Sequence, residues 1–249
     1  MKVFLKTNLD GIPYNVDTFN AYQGFKELGC NCQFFSDYRD LIEAGHNQED
    51  LIVGDTRTMI RRLKDFDIKY RCLDFPAEIG LFLGRIIWAT DIQIIRKRSE
   101  LRPVFVKSLK DKRLPGRVVR NSGDLDDCVS DSDHFKVLCS HLINFISEWR
   151  VFVRYGKILD VRPYKGDWKE HCDPSVIMDA VQTYTSAPCA YSLDFGVTDE
   201  GETLLININE GLTSESYGLN PKVYAEFLLT RWAELSQTSD SLINKNALV

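Results

Sequence analysis

The chain has 249 residues, 44% of them hydrophobic, which suffices to bury a core as one large domain or two small ones. Its net charge of −5 argues against the broad phosphate footprint of a general nucleic-acid binder, so we expect no nucleic-acid partner. Seven cysteines without framework spacing argue against a secreted disulfide scaffold. No apolar run suits a signal peptide or a membrane span, so we predict a cytoplasmic protein without a membrane partner.

The first 75 residues alternate between the patterns of strands and helices. The predicted elements are a strand at residues 3–5, a helix at 16–28 ended by Gly29, a strand at 32–35, a strand at 51–53 and a helix from 56 to 63. This alternation predicts a small α/β unit with a mostly parallel sheet.

A helix is predicted next, with the boundary near residues 76–85, and the pattern then changes to an antiparallel α+β region. From Pro103 onward we predict a strand at 104–106, a basic loop at 109–116, a return strand from 118, a strand at 135–143, a hairpin at 149–161, a helix at 175–184, a hairpin at 191–208 and a closing helix at 221–236. The predicted fold is thus α/β followed by α+β, with domains at 1–85 and 86–249.

Lys107 ends an apolar strand, and a basic loop containing Lys112, Arg113 and Gly116 follows it closely. The stem of Lys107 can pack on its apolar neighbours while the ammonium group projects into a cleft, where it would meet phosphates. The loop is of a kind that can close over a triphosphate. The alternatives are a solvated lysine at a strand end and an ordinary charged hairpin.

Arg150 and Arg162 lie on consecutive strands of a predicted hairpin. If the register places both on one face, their like charges repel unless an anion lies between them. The alternative is that each arginine pairs separately with a carboxylate such as Glu148 or Asp160.

Asp194, Asn207 and Asn209 carry oxygen-bearing side chains on the two strands of another predicted hairpin. Asn207 and Asn209 share a face because side chains alternate along a strand. Asparagine is disfavoured in strands, and carboxylate and amide oxygens suit magnesium. The alternative is a polar strand end whose amides bond to a neighbouring loop.

Five segments occur in a characteristic order along the chain. They are FLGRIIW at 82–88, VFVK at 104–107, EWRVFV at 148–153, DFGV at 194–197 and NINEG at 207–211, which extends to YGL at 217–219. This order resembles the ATP-grasp superfamily, and most of all a bacterial and phage-associated clade named for two arginines and one lysine. The resemblance implies an ATP-grasp fold over 86–249, with nucleotide between two α+β subdomains, and a pre-ATP-grasp α/β domain over 1–85.

The resemblance also implies a role for each matched position. Lys107 would contact ATP phosphates, and Arg150 and Arg162 would bind phosphate or an acyl-phosphate intermediate. Asp194, Asn207 and Asn209 would hold magnesium, although the family's usual glutamate is Asn207 here. The remaining nucleotide contacts would be Lys112, Arg113 and Gly116 in the mobile cover, Ser140, His141, Leu142 and Ile143 in the hinge against adenine, and Glu148.

The implied activity is that of an ATP- and Mg²⁺-dependent ligase. A carboxylate would be phosphorylated and then attacked by an amine, and both substrates would be small molecules or peptides. Two alternatives stay open: a nucleotide-binding regulatory or interaction protein that has lost catalysis, which Asn207 favours, and a kinase-like phosphotransferase. The pattern does not indicate an oligomeric state.

Overall fold

The computed structural model describes residues 1–45, 47–70, 73, 75–109, 114 and 116–242. These residues form three sheets, one of three strands and two of four strands. The predicted order, an α/β unit followed by an α+β region, is the order observed.

The N-terminal sheet consists of β1 (Lys2–Lys6), β2 (Asn31–Phe35) and β3 (Leu51–Val53) in the order β2-β1-β3. Both strand pairs are parallel, which confirms the predicted α/β unit. The connecting helices are α1 (Val16–Glu27), α2 (Tyr38–Glu43) and α3 (Thr56–Asp65). The sequence reading missed α2, whose start is held by a capping box of Asp37 and Asp40.

The middle sheet consists of β4 (Ile87–Asp91), β5 (Val104–Ser108), β6 (Arg117–Val119) and β7 (Lys136–Ser140), in the antiparallel order β4-β7-β5-β6. Two short helical segments and a strand that the sequence reading missed take the place of the single helix predicted between the two units. A 3₁₀ helix at Ala77–Leu83 ends at Gly84, whose φ of +57° is left-handed, and β4 and the short helix α4 (Ile92–Lys97) follow. Strand β7 ends at Ser140 rather than 143, because the chain leaves the sheet there.

The large sheet consists of β8 (Phe145–Arg154), β9 (Lys157–Gly166), β10 (Ala190–Thr198) and β11 (Thr203–Glu210), in the antiparallel order β11-β10-β8-β9. Both predicted hairpins are confirmed. Tyr155 and Gly156 form the two-residue turn of the first, with φ values of +49° and +69°. Positive φ at both positions matches the twist of the paired strands.

Two helices cover this sheet, and three hydrophobic clusters form the core. Helix α5 (Pro174–Thr183) packs with β8 and β10, while α6 (Pro221–Ser236) joins the N-terminal core and packs along α1. The ring of Phe152 on β8 meets that of Phe227 on α6 edge-on, with centroids 5.5 Å apart. Ile79 and Leu83 pack beneath the large sheet, and the domain boundary at residue 85 stays a prediction.

Close packing of α1 on α6 generates a stability prediction. A Cβ atom added at Gly24 would lie 1.9 Å from the carbonyl oxygen of Pro221. Glycine to alanine in a helix normally stabilises by about 1 kcal/mol. Here we expect Gly24→Ala to lower the free energy of unfolding by about 1–3 kcal/mol, because backbone atoms must move apart. Urea denaturation measures this.

Glu27→Ala, at an exposed position of the same helix, is the matched control, with an expected change within about 0.5 kcal/mol. A Gly24→Ala protein as stable as the unmodified chain would contradict the close contact of the two helices.

Candidate active site

A row of polar residues crosses all four strands of the large sheet. Arg162 on β9 lies opposite Arg150 on β8, Arg150 lies opposite Asp194 on β10, and Asp194 lies opposite Asn207 on β11. Directly opposed residues share a face of the sheet. The register therefore places both arginines on one face, which the sequence had left open. A β-bulge at Ile206 sets the final pairing, since Asp194 pairs with Asn207 and Phe195 with Leu205.

Hydrogen bonds join this row into a chain that reaches the middle sheet. Arg150 donates from Nε and Nη2 to the two carboxylate oxygens of Asp194, over 2.7 and 3.0 Å. Asn209 donates to Asp194 over 2.8 Å, and Asn207 donates to Asn209 over 2.7 Å. Lys107, on β5, donates from Nζ to Oδ1 of Asn207 over 2.7 Å. Residues far apart in the sequence thus meet, and the hydrogen bond of Lys107 to Asn207 joins the middle sheet to the large sheet.

The two arginines differ in their surroundings. Arg150 is buried, and although burial lowers the pKa of its guanidinium, the bonded carboxylate of Asp194 raises it above its usual value. Arg162 is partly exposed and bonds to Asp160 on its own strand, over 2.9 and 2.6 Å. Each arginine therefore has its own carboxylate in the structure, so the separate pairing considered from the sequence is present on a shared face.

The oxygen donors expected to hold magnesium lie together, with Asp194 as their carboxylate. Glu210 is directed elsewhere: it is buried, its carboxylate pairs with Arg231 of α6, and burial raises its pKa. Within the described ranges no three His, Cys, Asp or Glu side chains form a metal-binding group. One carboxylate and two amide oxygens suit Mg²⁺ only when phosphates and water supply the other ligands.

The predicted hinge is the link between the middle and large sheets. Ser140 is the buried last residue of β7, and residues 141–144 lead into β8. The backbone N–H of His141 donates to the carbonyl of Ile86 over 3.3 Å, and its ring meets that of Trp88 edge-on at 5.5 Å. Leu142 is exposed and Ile143 half-buried.

The other predicted nucleotide contacts are partly described. Glu148 accepts hydrogen bonds from Tyr164, over 2.8 Å, and from Lys165. Gly116 is exposed and immediately precedes β6, and a Cβ atom added there would lie 2.5 Å from the ring of Phe105. Lys112 and Arg113 lie outside the described residues.

Sequence reasoning missed the role of Arg85. Its guanidinium donates to the carbonyls of Leu83, Leu205 and Ile206 over 2.9, 2.7 and 3.0 Å. Burial lowers the pKa of Arg85 to about 10. These bonds hold the β11 bulge immediately before Asn207. The signal available in the sequence was the position of Arg85 inside the FLGRIIW segment, which does not indicate its partners.

A pair of tyrosines was missed as well. The rings of Tyr164 on β9 and Tyr217 on the loop after β11 stack with centroids 5.0 Å apart and an angle of 15° between their planes. The guanidinium carbon of Arg150 lies 4.6 Å from the ring centroid of Tyr217 and 5.8 Å from that of Tyr164. The stack covers the buried arginine, and cation–π attraction favours this arrangement.

The chain belongs to the ATP-grasp domain family described as R2K clade family 2, whose model matches residues 82–227. A comparison with curated proteins gave no match. No helix in the described part of the chain has the length and apolar character needed to cross a membrane.

Solved structures with this fold include two ligases and a synthetase. D-alanine–D-alanine ligase from Bacillus anthracis is 14% identical with a TM-score of 0.55, covering 95% of this chain and 96% of that one. D-cycloserine synthetase DcsG is 10% identical with a TM-score of 0.57, covering 93% and 100%. The ATP-grasp ligase PsnB, complexed with a minimal precursor, is 10% identical with a TM-score of 0.51, covering 92% and 98%.

The buried pair generates a second prediction. Arg150→Met leaves the Asp194 carboxylate buried without its guanidinium partner, so we expect the free energy of unfolding to fall by about 3–5 kcal/mol. The double change Arg150→Met with Asp194→Leu removes both charges and should recover most of that loss. Chemical denaturation of the single and double variants measures the coupling.

Arg162→Met is the matched control, because its partly exposed pair with Asp160 should contribute only about 0–1 kcal/mol. Equal losses for Arg150→Met and Arg162→Met would contradict the distinction between the two pairs.

Proposed function

We propose that this protein is an ATP- and Mg²⁺-dependent carboxylate–amine ligase that acts through an acyl-phosphate intermediate. The observation that carries the proposal is the meeting of Lys107, from the middle sheet, with the polar row of the large sheet. A cation, two arginines and a set of oxygen ligands converge here, at the place where the resemblance to the ATP-grasp superfamily implies nucleotide binding. Phosphoryl transfer to a carboxylate requires such positioning and charge neutralisation, and it requires no side-chain nucleophile.

In this proposal each side chain has a defined task. Lys107 binds ATP phosphates as a point charge, and the hinge at 140–143 receives adenine. The loop with Lys112, Arg113 and Gly116 covers the phosphates. Arg150 and Arg162 hold the carboxylate and the acyl phosphate by charge and fork geometry.

Asp194, Asn207 and Asn209 would hold magnesium, which would supply neutralisation of the phosphate charge. The neutral Asn207 has a consequence for Lys107. A glutamate at this position would bring a negative charge next to Lys107, whereas the amide of Asn207 accepts a hydrogen bond from Lys107 without adding charge. Asp194, Asn207 and Asn209, with a single carboxylate among them, therefore suit magnesium that enters the site already bound to ATP.

The substrates in this proposal are a carboxylate and an amine borne by small molecules or peptides. Its support is membership of the ATP-grasp family together with a fold shared with a D-alanine–D-alanine ligase and with a ligase complexed with a precursor. The rival is a nucleotide-binding regulatory protein with a degenerate site. Asn207 favours the rival, as does the pairing of both arginines with carboxylates.

Acyl-phosphate formation can be tested without knowing the amine. The full-length protein is incubated with Mg–ATP, hydroxylamine and a panel of free and N-acetylated amino acids as carboxylate donors. A ligase of this type produces ADP and the hydroxamate of its donor, detected by mass spectrometry. ATP binding without ADP or hydroxamate for any donor would favour the regulatory rival.

The phosphate role of Lys107 generates a third prediction. Lys107→Ala removes a charged phosphate contact worth about 1.5–3 kcal/mol, so the Kd for a non-hydrolysable ATP analogue should rise by about 10- to 100-fold. Calorimetric titration measures the Kd. Lys97→Ala, at an exposed position on α4, is the matched control and should leave the Kd unchanged. Unchanged affinity in folded Lys107→Ala would remove this residue from the site.

Asn207→Glu tests the metal assignment. The substitution adds a second carboxylate, so Mg²⁺ should bind the nucleotide-free variant more tightly than the native protein. Titration calorimetry with Mg²⁺ alone, and then with ADP present, separates metal binding by the protein itself from metal binding that depends on nucleotide. Tight Mg²⁺ binding by the native protein without nucleotide would count against the account. Ligase activity seen only in Asn207→Glu would support the degenerate rival.

A further inference from the structure

The loop between β11 and α6, residues 211–219, carries a carboxylate to the edge of the polar row. The carbonyl of Glu215 accepts a hydrogen bond from Nη1 of Arg150 over 3.3 Å. The carboxylate of Glu215 lies 3.7 Å from the same nitrogen. This acidic side chain therefore stands beside the arginine that is proposed to hold the acyl phosphate.

The backbone on both sides of Glu215 is fixed. Asp17, in the first turn of α1, accepts hydrogen bonds from the backbone N–H and the hydroxyl of Ser216 over 2.8 and 2.7 Å. On the other side, Tyr224 donates to the carbonyl of Ser214 over 2.8 Å. The position of the Glu215 side chain is thus set by two separate parts of the protein rather than by a free loop.

Tyr217 directs the carboxylate. Its hydroxyl donates to Oε2 of Glu215 over 2.6 Å, while its ring stacks on Tyr164 and covers Arg150. Tyr217 adopts a φ of +41°, a left-handed conformation that is unfavourable for a residue with a large side chain. Such conformations persist where surrounding contacts determine them, and they cluster at functional sites.

Glu215 differs from the other carboxylates around the two arginines. Glu148 is 12% exposed and pairs with Lys165, and Asp160 is 31% exposed and bonds to Arg162 at 2.6 Å. Glu215 is 60% exposed, and its carboxylate lies 3.7 Å from Nη1 of Arg150. Glu215 is therefore the most exposed of these three carboxylates and is open to a second cationic group.

We infer that Glu215, held by Tyr217, is the catalytic residue that binds the ammonium group of the amine substrate and accepts a proton from it during the attack. The inference rests on the proposed ligase function. It assigns the acceptor as a primary amine that reaches the site as a cation, because the exposed group that would bind it, Glu215, is a carboxylate.

Attack of the amine on the acyl phosphate forms one bond, breaks one bond and releases two protons from the ammonium group. The ammonium ion loses two protons: one passes to the Glu215 carboxylate and on to water, and the other is taken up by the departing phosphate. The nitrogen lone pair forms the bond to the acyl carbon, and the carbon–oxygen bond to phosphate breaks with its electron pair on phosphate. The exposure of Glu215 lets it return its proton to water before the next turnover.

The test separates formation of the acyl phosphate from attack by the amine. Hydroxylamine is a neutral nucleophile at neutral pH and needs no residue to remove a proton, whereas an alkyl amine arrives protonated. The full-length protein and Glu215→Gln are compared with Mg–ATP and the donor found with hydroxylamine. Hydroxylamine and a panel of amino-acid amines serve as acceptors.

For Glu215→Gln we expect unchanged hydroxamate formation and a loss of amide formation of at least about 100-fold, the scale of general-base catalysis. Glu215→Asp should recover part of the amide rate. Glu43→Gln, exposed on α2, should change neither product.

The experiment distinguishes failure of the role assigned to Glu215 from failure of the proposed ligase function. Amide formation at the native rate by Glu215→Gln, or equal loss of amide and hydroxamate, would overturn the role of Glu215 while leaving the ligase function intact. If the native protein forms neither product, the proposed function fails and the inference fails with it.

Discussion

The buried pair of Arg150 and Asp194 is the interaction on which the rest of the site depends. It joins β8 to β10 at the centre of the large sheet, and both side chains are almost completely removed from water. Taking two charges out of water costs several kcal/mol for each ion, so good geometry and further hydrogen bonds must compensate. The bidentate contact meets that requirement, and the hydrogen bond from Asn209 adds to it. The bidentate contact fixes the relative orientation of the Arg150 and Asp194 side chains, and these in turn position Asn209 and Tyr217.

From this pair the site extends in two directions. Through Asn209 and Asn207 it reaches Lys107 on the other four-stranded sheet, so that one hydrogen-bonded chain joins the two sheets. Through the stacked tyrosines and Glu215 it reaches the loop that is anchored to the N-terminal unit at Asp17. In the proposed reaction the first direction holds nucleotide and metal, and the second receives the substrates.

Local patterns predicted much of this arrangement. Alternation along the strands and the Tyr155–Gly156 turn were sufficient for the hairpins, but the register that puts Arg150 and Arg162 on one face was known only from the structure. Strand β4 was missed because an apolar stretch with a few charges is equally typical of a buried helix. Arg85 and Glu215 were missed for another reason. Their importance comes from carbonyls and side chains more than sixty residues away, and a single sequence does not show such contacts.

The central claim is that the polar row supports transfer of the terminal phosphoryl group of ATP to a carboxylate. Oxygen labelling tests it most directly. A donor whose carboxylate oxygens are ¹⁸O is turned over with unlabelled ATP and an amine, and the inorganic phosphate is analysed by mass spectrometry. The account predicts that each phosphate carries one ¹⁸O atom from the donor. Phosphate released at the same rate without ¹⁸O would mean that water, rather than the carboxylate, had attacked ATP, and would contradict the account.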